Sequence, residues 1–210
     1  MLKKLPILLG ILSIFIVKSS LALNQSDFMD LKVGDILLQD LNCWSCGLIE
    51  EQENSAYSHM GILIKKDNKF YIFEALGKVK LTPVDVFIKR TAKDGHLRVL
   101  RSKKNLSLDH LNKVMNKLLS LNLNYDHEFR WNNVDERGET LYCSELVYKV
   151  WLKLGLITSL KTKIMSFDVN PLLWDRFFKG DTPRGEIGIS PEDFNQAKEF
   201  YWIKDIWPTN

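Results

Sequence analysis

The residue best suited to nucleophilic chemistry is Cys143, which stands at the start of a predicted amphipathic helix. Apolar residues recur on one side of that helix, and Gly155 stands where a C-terminal cap belongs. The unpaired N–H groups and the dipole of a helix N-terminus stabilise a thiolate, the form in which a cysteine attacks a carbonyl group. A lone cysteine in a helix is also commonly a structural core residue. Cys143 is therefore a catalytic candidate only if a base lies beside it.

A base and a carboxylate occur on two neighbouring predicted strands. His59 precedes the strand-like run 60–64, and Glu74 lies in the run 70–75, in line with apolar side chains. Any turn of even length pairs odd-numbered with even-numbered residues, which puts His59 and Glu74 on one face of the hairpin. A loop of two or four residues also brings them within one diagonal step. The sequence thus permits a Glu–His pair, and the alternative is an edge-strand glutamate with a structural histidine.

Two further cysteines, Cys43 and Cys46, form a C-x-x-C motif. In an exported protein such a pair is a redox candidate, but a thioredoxin-like motif follows a strand and opens a helix within a βαβ unit. Residues 50–54 predict that a polar loop continues here, with neither cysteine heading a helix. The sequence has no second pair with zinc-ligand spacing. We expect a local disulfide or two free thiols near the mouth of the site, and no metal.

The elements that must position these residues follow from periodicity and capping signals. Strands are predicted at 33–39, 60–64, 70–75 and 97–100. Helices are predicted from Thr82-Pro83 through Lys89, after the N-cap Ser107, from Cys143, and from Ser190. The tail from residue 161 is otherwise predicted to lack regular secondary structure. Strands thus precede helices, which predicts an α+β fold with an antiparallel sheet.

Composition limits the classes of protein. The chain has 210 residues, of which 45% are hydrophobic and 26% charged, as in a folded domain of ordinary size. Three cysteines are too few for a disulfide scaffold. Lys3, Lys4 and Lys18 lie in the first 22 residues, so residues 23–210 carry 26 basic and 26 acidic side chains. This balance provides no basic face, and no nucleic-acid partner is expected.

The first 22 residues have the features of a secretory targeting segment. Lys3 and Lys4 precede an apolar run of 13 residues, and Ser20-Leu21-Ala22 places small residues where a signal peptidase reads them. The run is shorter than the roughly 20 residues of a spanning helix, so cleavage is favoured over a membrane anchor. We expect a signal peptide over 1–22 and a single domain over 23–210, located in the periplasm or outside the cell.

Four sequence blocks, in this order, resemble a known family. They are Gly34-Asp35-Ile36-Leu37, Ser58-His59-Met60-Gly61-Ile62, Phe73-Glu74-Ala75 and Tyr142-Cys143-Ser144-Glu145-Leu146-Val147. Together they resemble the papain-like NlpC-type cysteine hydrolases. The cysteine helix commonly comes first in that superfamily, whereas here it comes last, as in the circularly permuted branch. Tyr125-Asp126 adds similarity to the YiiX/YebB-like group, and the resemblance spans roughly residues 31–195.

The resemblance implies a fold, a site and a reaction. The fold would be permuted papain-like α+β, with a small antiparallel sheet or partial barrel packed against a helix pair and the nucleophile helix C-terminal to the sheet. Cys143 would be the nucleophile, His59 the general base and Glu74 the residue that orients His59. Tyr125 and Tyr142 would bind substrate. An amide or ester would be cleaved through a thioester, without a metal or organic cofactor.

The resemblance leaves the substrate open between a cell-wall peptide and a lipid-like acyl compound. We expect a small-molecule, lipid or peptide substrate, association with the cell wall or a membrane surface, and a monomer. Two other functions stay open. One is a lipid- or peptide-binding module that keeps the fold without turnover, and the other is a thiol–disulfide oxidoreductase that uses Cys43 and Cys46.

Overall fold

The computed structural model of the chain describes residues 30–208. The predicted signal peptide over 1–22 lies outside these residues. The strands are β1 Ile36–Gln39, β2 His59–Lys66, β3 Lys69–Leu76, β4 Lys78–Pro83, β5 Leu97–Ser102, β6 Val134–Asp135, β7 Gly138–Glu139, β8 Lys163–Ile164, β9 Ile187–Gly188 and β10 Phe200–Ile206. The helices are α1 Cys46–Glu53, α2 Val84–Ile88, α3 Leu108–Ser120, α4 Cys143–Lys153, α5 Pro171–Phe177 and α6 Pro191–Asn195.

A six-stranded sheet forms the centre, with the strand order β10-β5-β1-β2-β3-β4. Every neighbouring pair in it is antiparallel. Helices α3 and α4 contact each other and pack on this sheet. The predicted α+β fold is confirmed, including the helix pair and the position of the cysteine helix after the first five strands of the sheet.

Side chains alternate along each strand and therefore pack in two layers, one on each face of the sheet. Ile62 packs in one core with Val147 of α4, whereas Leu63 packs in another with Phe87 of α2. His59 has the same parity as Leu63, so its side chain belongs to the α2 side of the sheet. It is also the first residue of β2, at the end of the strand. Because α4 packs on the opposite side of the sheet, the side chain of His59 can approach α4 only around the end of β2.

The β2–β3 hairpin has the two-residue loop that its sequence permits. Asp67 and Asn68 form the loop, with φ of 49° and 60°, the left-handed pair that a type I′ turn requires. Ile62 pairs with Phe73, and continuing this register puts His59 one diagonal step from Glu74. The hairpin therefore brings the predicted base and carboxylate together on one face.

Three of the predicted helix boundaries that rest on capping signals are confirmed. Ser107 accepts a hydrogen bond from the backbone of His110 at the start of α3. Ser190 forms a capping box with Asp193 at the start of α6. Gly155 follows the end of α4 with φ of 69°, a left-handed conformation that glycine adopts without strain.

Two local predictions in the first half are wrong. The polar loop predicted after the C-x-x-C motif is helix α1, which begins at Cys46. No side chain caps it, and Leu48 packs in a core with Trp174, so tertiary contacts rather than a local signal hold this helix. Thr82 and Pro83 end strand β4 instead of starting a helix. Proline fits there because β4 is an edge strand, whose free side needs no donor.

The tail is also more regular than predicted. Residues 200–206 form β10, which pairs with β5 at the opposite edge of the sheet. A bulge after Trp202 shifts the register, which breaks the alternation that would have marked this strand. The aromatic side chains of Tyr201, Trp202 and Trp207 in this tail are exposed. Among residues 30–208 no helix is long and apolar enough to cross a membrane.

Gly61 allows β2 and β3 to approach closely beside the site, and its replacement tests this. A Cβ there would lie 2.3 Å from Cγ2 of Ile72 and 3.2 Å from Cβ of Glu74. We expect Gly61→Ala to lower the free energy of unfolding by about 1–3 kcal/mol, measured in urea. The matched control is Gly47→Ala in α1, where a Cβ would meet nothing within 4 Å. That variant should be neutral or more stable by up to about 1 kcal/mol; equal losses in both would contradict the packing argument.

Candidate active site

Cys143 is the first residue of α4 and is buried, with 6% of its surface exposed. The N-cap Tyr142 has extended backbone and makes no side-chain cap. The first N–H groups of α4 are therefore free to face a negative charge at the helix start. This is the environment that the sequence predicts for a nucleophilic thiolate.

The hairpin places the imidazole of His59 directly against the carboxylate of Glu74. Nε2 of His59 lies 2.6 Å from Oε2 of Glu74, and both side chains are buried. Cys143 lies close enough to the same ring to raise the pKa of His59. Because Glu74 occupies Nε2, the ring nitrogen left for Cys143 is Nδ1. The structure thus brings together the three residues that the resemblance assigns to catalysis.

Two residues that sequence reasoning missed hold Glu74 in place. Arg90, just after α2, donates from Nη2 to Oε1 at 2.9 Å and to Oε2 at 2.8 Å. The hydroxyl of Thr82 donates to Oε1. A buried carboxylate is a signal that a cation is needed. The sequence contains many basic residues and no local pattern that selects Arg90 among them.

The charges of this group determine its protonation. Burial favours the neutral form of His59, but hydrogen bonds and charges of Cys143 and Glu74 outweigh it and raise the pKa of His59 to about 9. Burial likewise opposes the charge on Glu74, yet His59 and Arg90 lower the pKa of Glu74 to about 2. At neutral pH Glu74 is therefore ionised and His59 is ready to hold a proton as an imidazolium.

The two predicted substrate-binding tyrosines both line a pocket beside Cys143, but their hydroxyls differ. The Tyr142 hydroxyl accepts a hydrogen bond from the backbone N–H of Ile189 at 3.2 Å, which ties it to the chain before α6. The Tyr125 hydroxyl bonds to no other residue within 30–208. Burial and the nearby Cys143 raise the pKa of Tyr125, so it keeps its proton and can donate.

Ser58 and Glu50, which sequence reasoning did not single out, form a second polar group that holds the end of β2 next to His59. The hydroxyl of Ser58 donates to Glu50 at 2.6 Å and accepts from the N–H of Leu41 at 3.2 Å. Burial and the neighbouring Asp40 outweigh the bond from Ser58 and raise the pKa of Glu50 to about 7. These contacts connect α1 to the start of β2, where the base lies.

Cys43 and Cys46 are joined in a disulfide, the local pairing expected for this motif. Cys46 does open a helix after a strand, contrary to the sequence prediction. The next strand, however, is antiparallel to β1, so the motif does not lie in a βαβ unit. The pair also lies outside the lining of the pocket beside Cys143.

Comparison with known proteins identifies the family of this chain. Residues 30–203 match the sequence model of Peptidase_C92, described as the permuted papain-like amidase enzymes YaeF/YiiX of the C92 family. The chain belongs to this family. Peptidase_C92 proteins are papain-like cysteine hydrolases, so membership assigns the chain to the enzymes rather than to non-catalytic binding modules.

Two relatives support the assignment. The chain is 32% identical over 184 residues to the uncharacterized protein YiiX of Escherichia coli strain K12, covering 84% of this chain and 88% of that protein. It also resembles the crystal structure of metalloprotein yiiX from Escherichia coli O157:H7, with a TM-score of 0.71 and 28% identity. That likeness covers 84% of this chain and 98% of the solved chain.

Because the solved relative is called a metalloprotein, the question of a metal arises for this chain too. Within residues 30–208 no group of three or more His, Cys, Asp or Glu side chains is placed to hold a metal ion. Both oxygens of Glu74 are also occupied by Arg90. The residues of this part of the chain therefore do not fit a metal.

Removing Arg90 tests its role as the countercharge of Glu74. The carboxylate contributes stability above its ordinary pKa of 4.5, and this contribution is lost as the pH falls towards about 2. Arg90→Ala should lower the free energy of unfolding at pH 7 by about 2–4 kcal/mol, because Glu74 is fully buried while Arg90 is partly exposed. Its acid unfolding midpoint, followed by circular dichroism, should move to higher pH.

The matched control is Arg98→Ala, which removes a similarly exposed arginine paired with Asp205 at the β5–β10 edge. We expect it to cost less at pH 7 and to leave thiol labelling of Cys143 unchanged. Equal losses of unfolding free energy and equal shifts of the acid midpoint in the two variants would contradict a specific role for Arg90.

Proposed function

We propose that the chain is an exported amidase in which Cys143, His59 and Glu74 form the catalytic triad. The observation that carries this is the set of contacts from Arg90 to Glu74 and from Glu74 to His59, with Cys143 beside the same imidazole. Family membership supplies the reaction class, and this arrangement supports the proposed roles. Once the thiol proton has moved to His59, the imidazolium lies between two negative groups, the Cys143 thiolate and the Glu74 carboxylate. Arg90 supplies the second positive charge beside Glu74.

The proposed reaction has two steps. The Cys143 thiolate attacks the carbonyl carbon, and His59 passes its proton to the departing amine as the carbon–nitrogen bond breaks. A thioester is left on Cys143. A water molecule then gives a proton to His59 and attacks the thioester, which releases the acid and restores the thiol–imidazole pair. Glu74 remains ionised throughout and stabilises the imidazolium.

The oxyanion of each tetrahedral intermediate needs donors aimed at it. The backbone N–H of Cys143 is one, because it lies in the uncapped first turn of α4. We assign the second to the hydroxyl of Tyr125, which lines the same pocket and stays protonated. Tyr142 is a less suitable donor because its hydroxyl is already tied to Ile189.

Export is proposed from the N-terminal sequence alone. The basic start, apolar run and small residues at 20 and 22 are those of a cleaved signal peptide. The disulfide between Cys43 and Cys46 fits an oxidising compartment. In such a compartment the amides within reach include those of the cell wall.

The triad is tested by substitution in the mature protein. Cys143→Ser should reduce hydrolysis of an activated acyl substrate such as p-nitrophenyl acetate by about 10³-fold or more, because a hydroxyl is far harder to ionise. His59→Ala should be nearly as damaging. Glu74→Gln should lose less, since the amide still accepts a hydrogen bond but no longer stabilises the imidazolium. Iodoacetamide labelling of Cys143 near pH 6 should slow in the same order for the two latter variants.

The matched control replaces both Cys43 and Cys46 with serine. This double variant should keep its hydrolysis rate, because the pair does not line the pocket, and should lose little stability, since a disulfide across so short a loop constrains the unfolded chain weakly. If the double variant were inactive while folded and Cys143→Ser active, the nucleophile would be misassigned.

Export is tested by the mass of the secreted product. When the full chain is made in a bacterial host, protein from the periplasmic fraction should begin at Leu23, because the small residues at 20 and 22 mark the cleavage site. Ala22→Lys should block cleavage and leave the longer chain. Recovery of unprocessed wild-type protein in the cytoplasm would refute the proposal.

A further inference from the structure

The pocket beside Cys143 is walled mainly by apolar groups from three separate parts of the chain. Ile49 comes from α1, Phe129 from the segment before α4, and Met165, Phe167 and Trp174 from the segment between α4 and α6. These residues are far apart in sequence and meet only at the N-terminus of α4. Their convergence gives the nucleophile an apolar neighbour on one side.

Most of the polar side chains that line the same pocket already have hydrogen-bond partners within the protein. Gln52 donates to the hydroxyl of Ser166, and Glu53 is bound by Lys163 and by the hydroxyl of Ser190. The hydroxyl of Ser144 donates to the carbonyl of Ile189 at 2.7 Å. Groups already paired in this way offer little to a polar ligand. The surface left for binding is therefore apolar.

Two of the wall residues have unusual backbone. Phe129 and Phe167 have φ of 53° and 54°, a left-handed conformation that is unfavourable for a bulky side chain. Asp126 accepts hydrogen bonds from the N–H groups of Glu128 and Arg130, which holds the segment around Phe129. Unfavourable backbone that surrounding contacts maintain is typical of functional sites. Here it turns two aromatic rings into the pocket wall.

The pocket is small. Its enclosed volume is about 50 Å³, whereas a single water molecule needs an enclosed volume of roughly 10–15 Å³. Trp174 and Phe167, both almost fully buried, pack against Phe178 and Leu48 behind the wall. The space therefore encloses a group of about three to five heavy atoms and cannot enclose a long acyl chain.

The position of His59 decides which half of a substrate enters the pocket. The leaving group takes its proton from His59, so it must lie on the side of the imidazole. The lining includes Cys143, Tyr142 and Ser144 from the start of α4. It also includes Ser58, but the side chain of His59 points to the α2 side of the sheet and does not line the pocket. The pocket thus adjoins the part of the substrate that stays on the sulfur after the first step.

We propose that this pocket selects a compact apolar group on the acyl side of the scissile bond, of the size of a valine or leucine side chain. The inference rests on the proposed role of Cys143 as nucleophile. It deepens that role by favouring short acyl groups, as in a peptide, over the long chain of a lipid.

The test uses alkyl chloromethyl ketones of increasing chain length on the mature protein. The Cys143 sulfur displaces chloride, forming a carbon–sulfur bond, and intact mass gives the labelling rate without any need for turnover. The alkyl group occupies the acyl side. We expect the rate to rise by about tenfold from methyl to propyl or isobutyl, and to fall by about tenfold or more at heptyl.

Two variants change the size of the pocket in opposite directions. Trp174→Ala removes part of its back wall and should move the optimum to longer chains, while Ile49→Phe fills it and should favour methyl. Trp202→Ala is the matched control, because Trp202 is exposed on β10 and does not line the pocket. It should leave the chain-length profile unchanged.

The outcomes separate this inference from the triad. A rate that is flat with chain length, or rises through heptyl, overturns the pocket proposal even if His59→Ala slows every reagent. A clear optimum in the wild type, together with rates that are not slowed in His59→Ala, supports the pocket and contradicts the role of His59. If Trp174→Ala fails to fold, Ile49→Phe decides, and an unchanged optimum in it overturns the proposal.

Discussion

The site depends on one buried charge, the carboxylate of Glu74. A carboxylate without exposed surface is stable only if opposite charge and hydrogen bonds replace the lost water. Arg90 and Thr82 supply these on one side, and His59 supplies them on the other. The pairing then continues from His59 to Cys143. Because each of these charges balances the next, the interactions that stabilise the buried carboxylate also act on His59 and Cys143, the proposed base and nucleophile.

The sheet makes this arrangement possible through a few local constraints. The tight loop between β2 and β3 fixes a register in which His59 and Glu74 share one face. A slip by one residue would turn Glu74 away from α2 and from Arg90. Gly61 leaves room between the two strands. His59 then meets α4 only because it stands at the end of its strand, where a helix from the opposite layer can reach it.

The surroundings of Cys143 combine two kinds of environment. On the side of His59 the groups are charged and tightly paired. On the pocket side the polar groups satisfy one another and leave an apolar surface, shaped by Phe129 and Phe167 in unfavourable backbone conformations. Such strain persists only where the surrounding fold overdetermines it. A nucleophile between these two environments can hold a compact acyl group on one side and release an amine on the other.

The sequence by itself determined the features that arise from neighbouring residues. Hairpin parity put His59 and Glu74 on one face, and periodicity with capping placed Cys143 at a helix start, because these signals act over a few residues. Tertiary structure alone decided that Arg90 balances Glu74, that α1 forms without a cap, and that residues 200–206 complete the sheet. These outcomes depend on packing between distant segments, where many basic or apolar residues are equivalent candidates until the chain has folded.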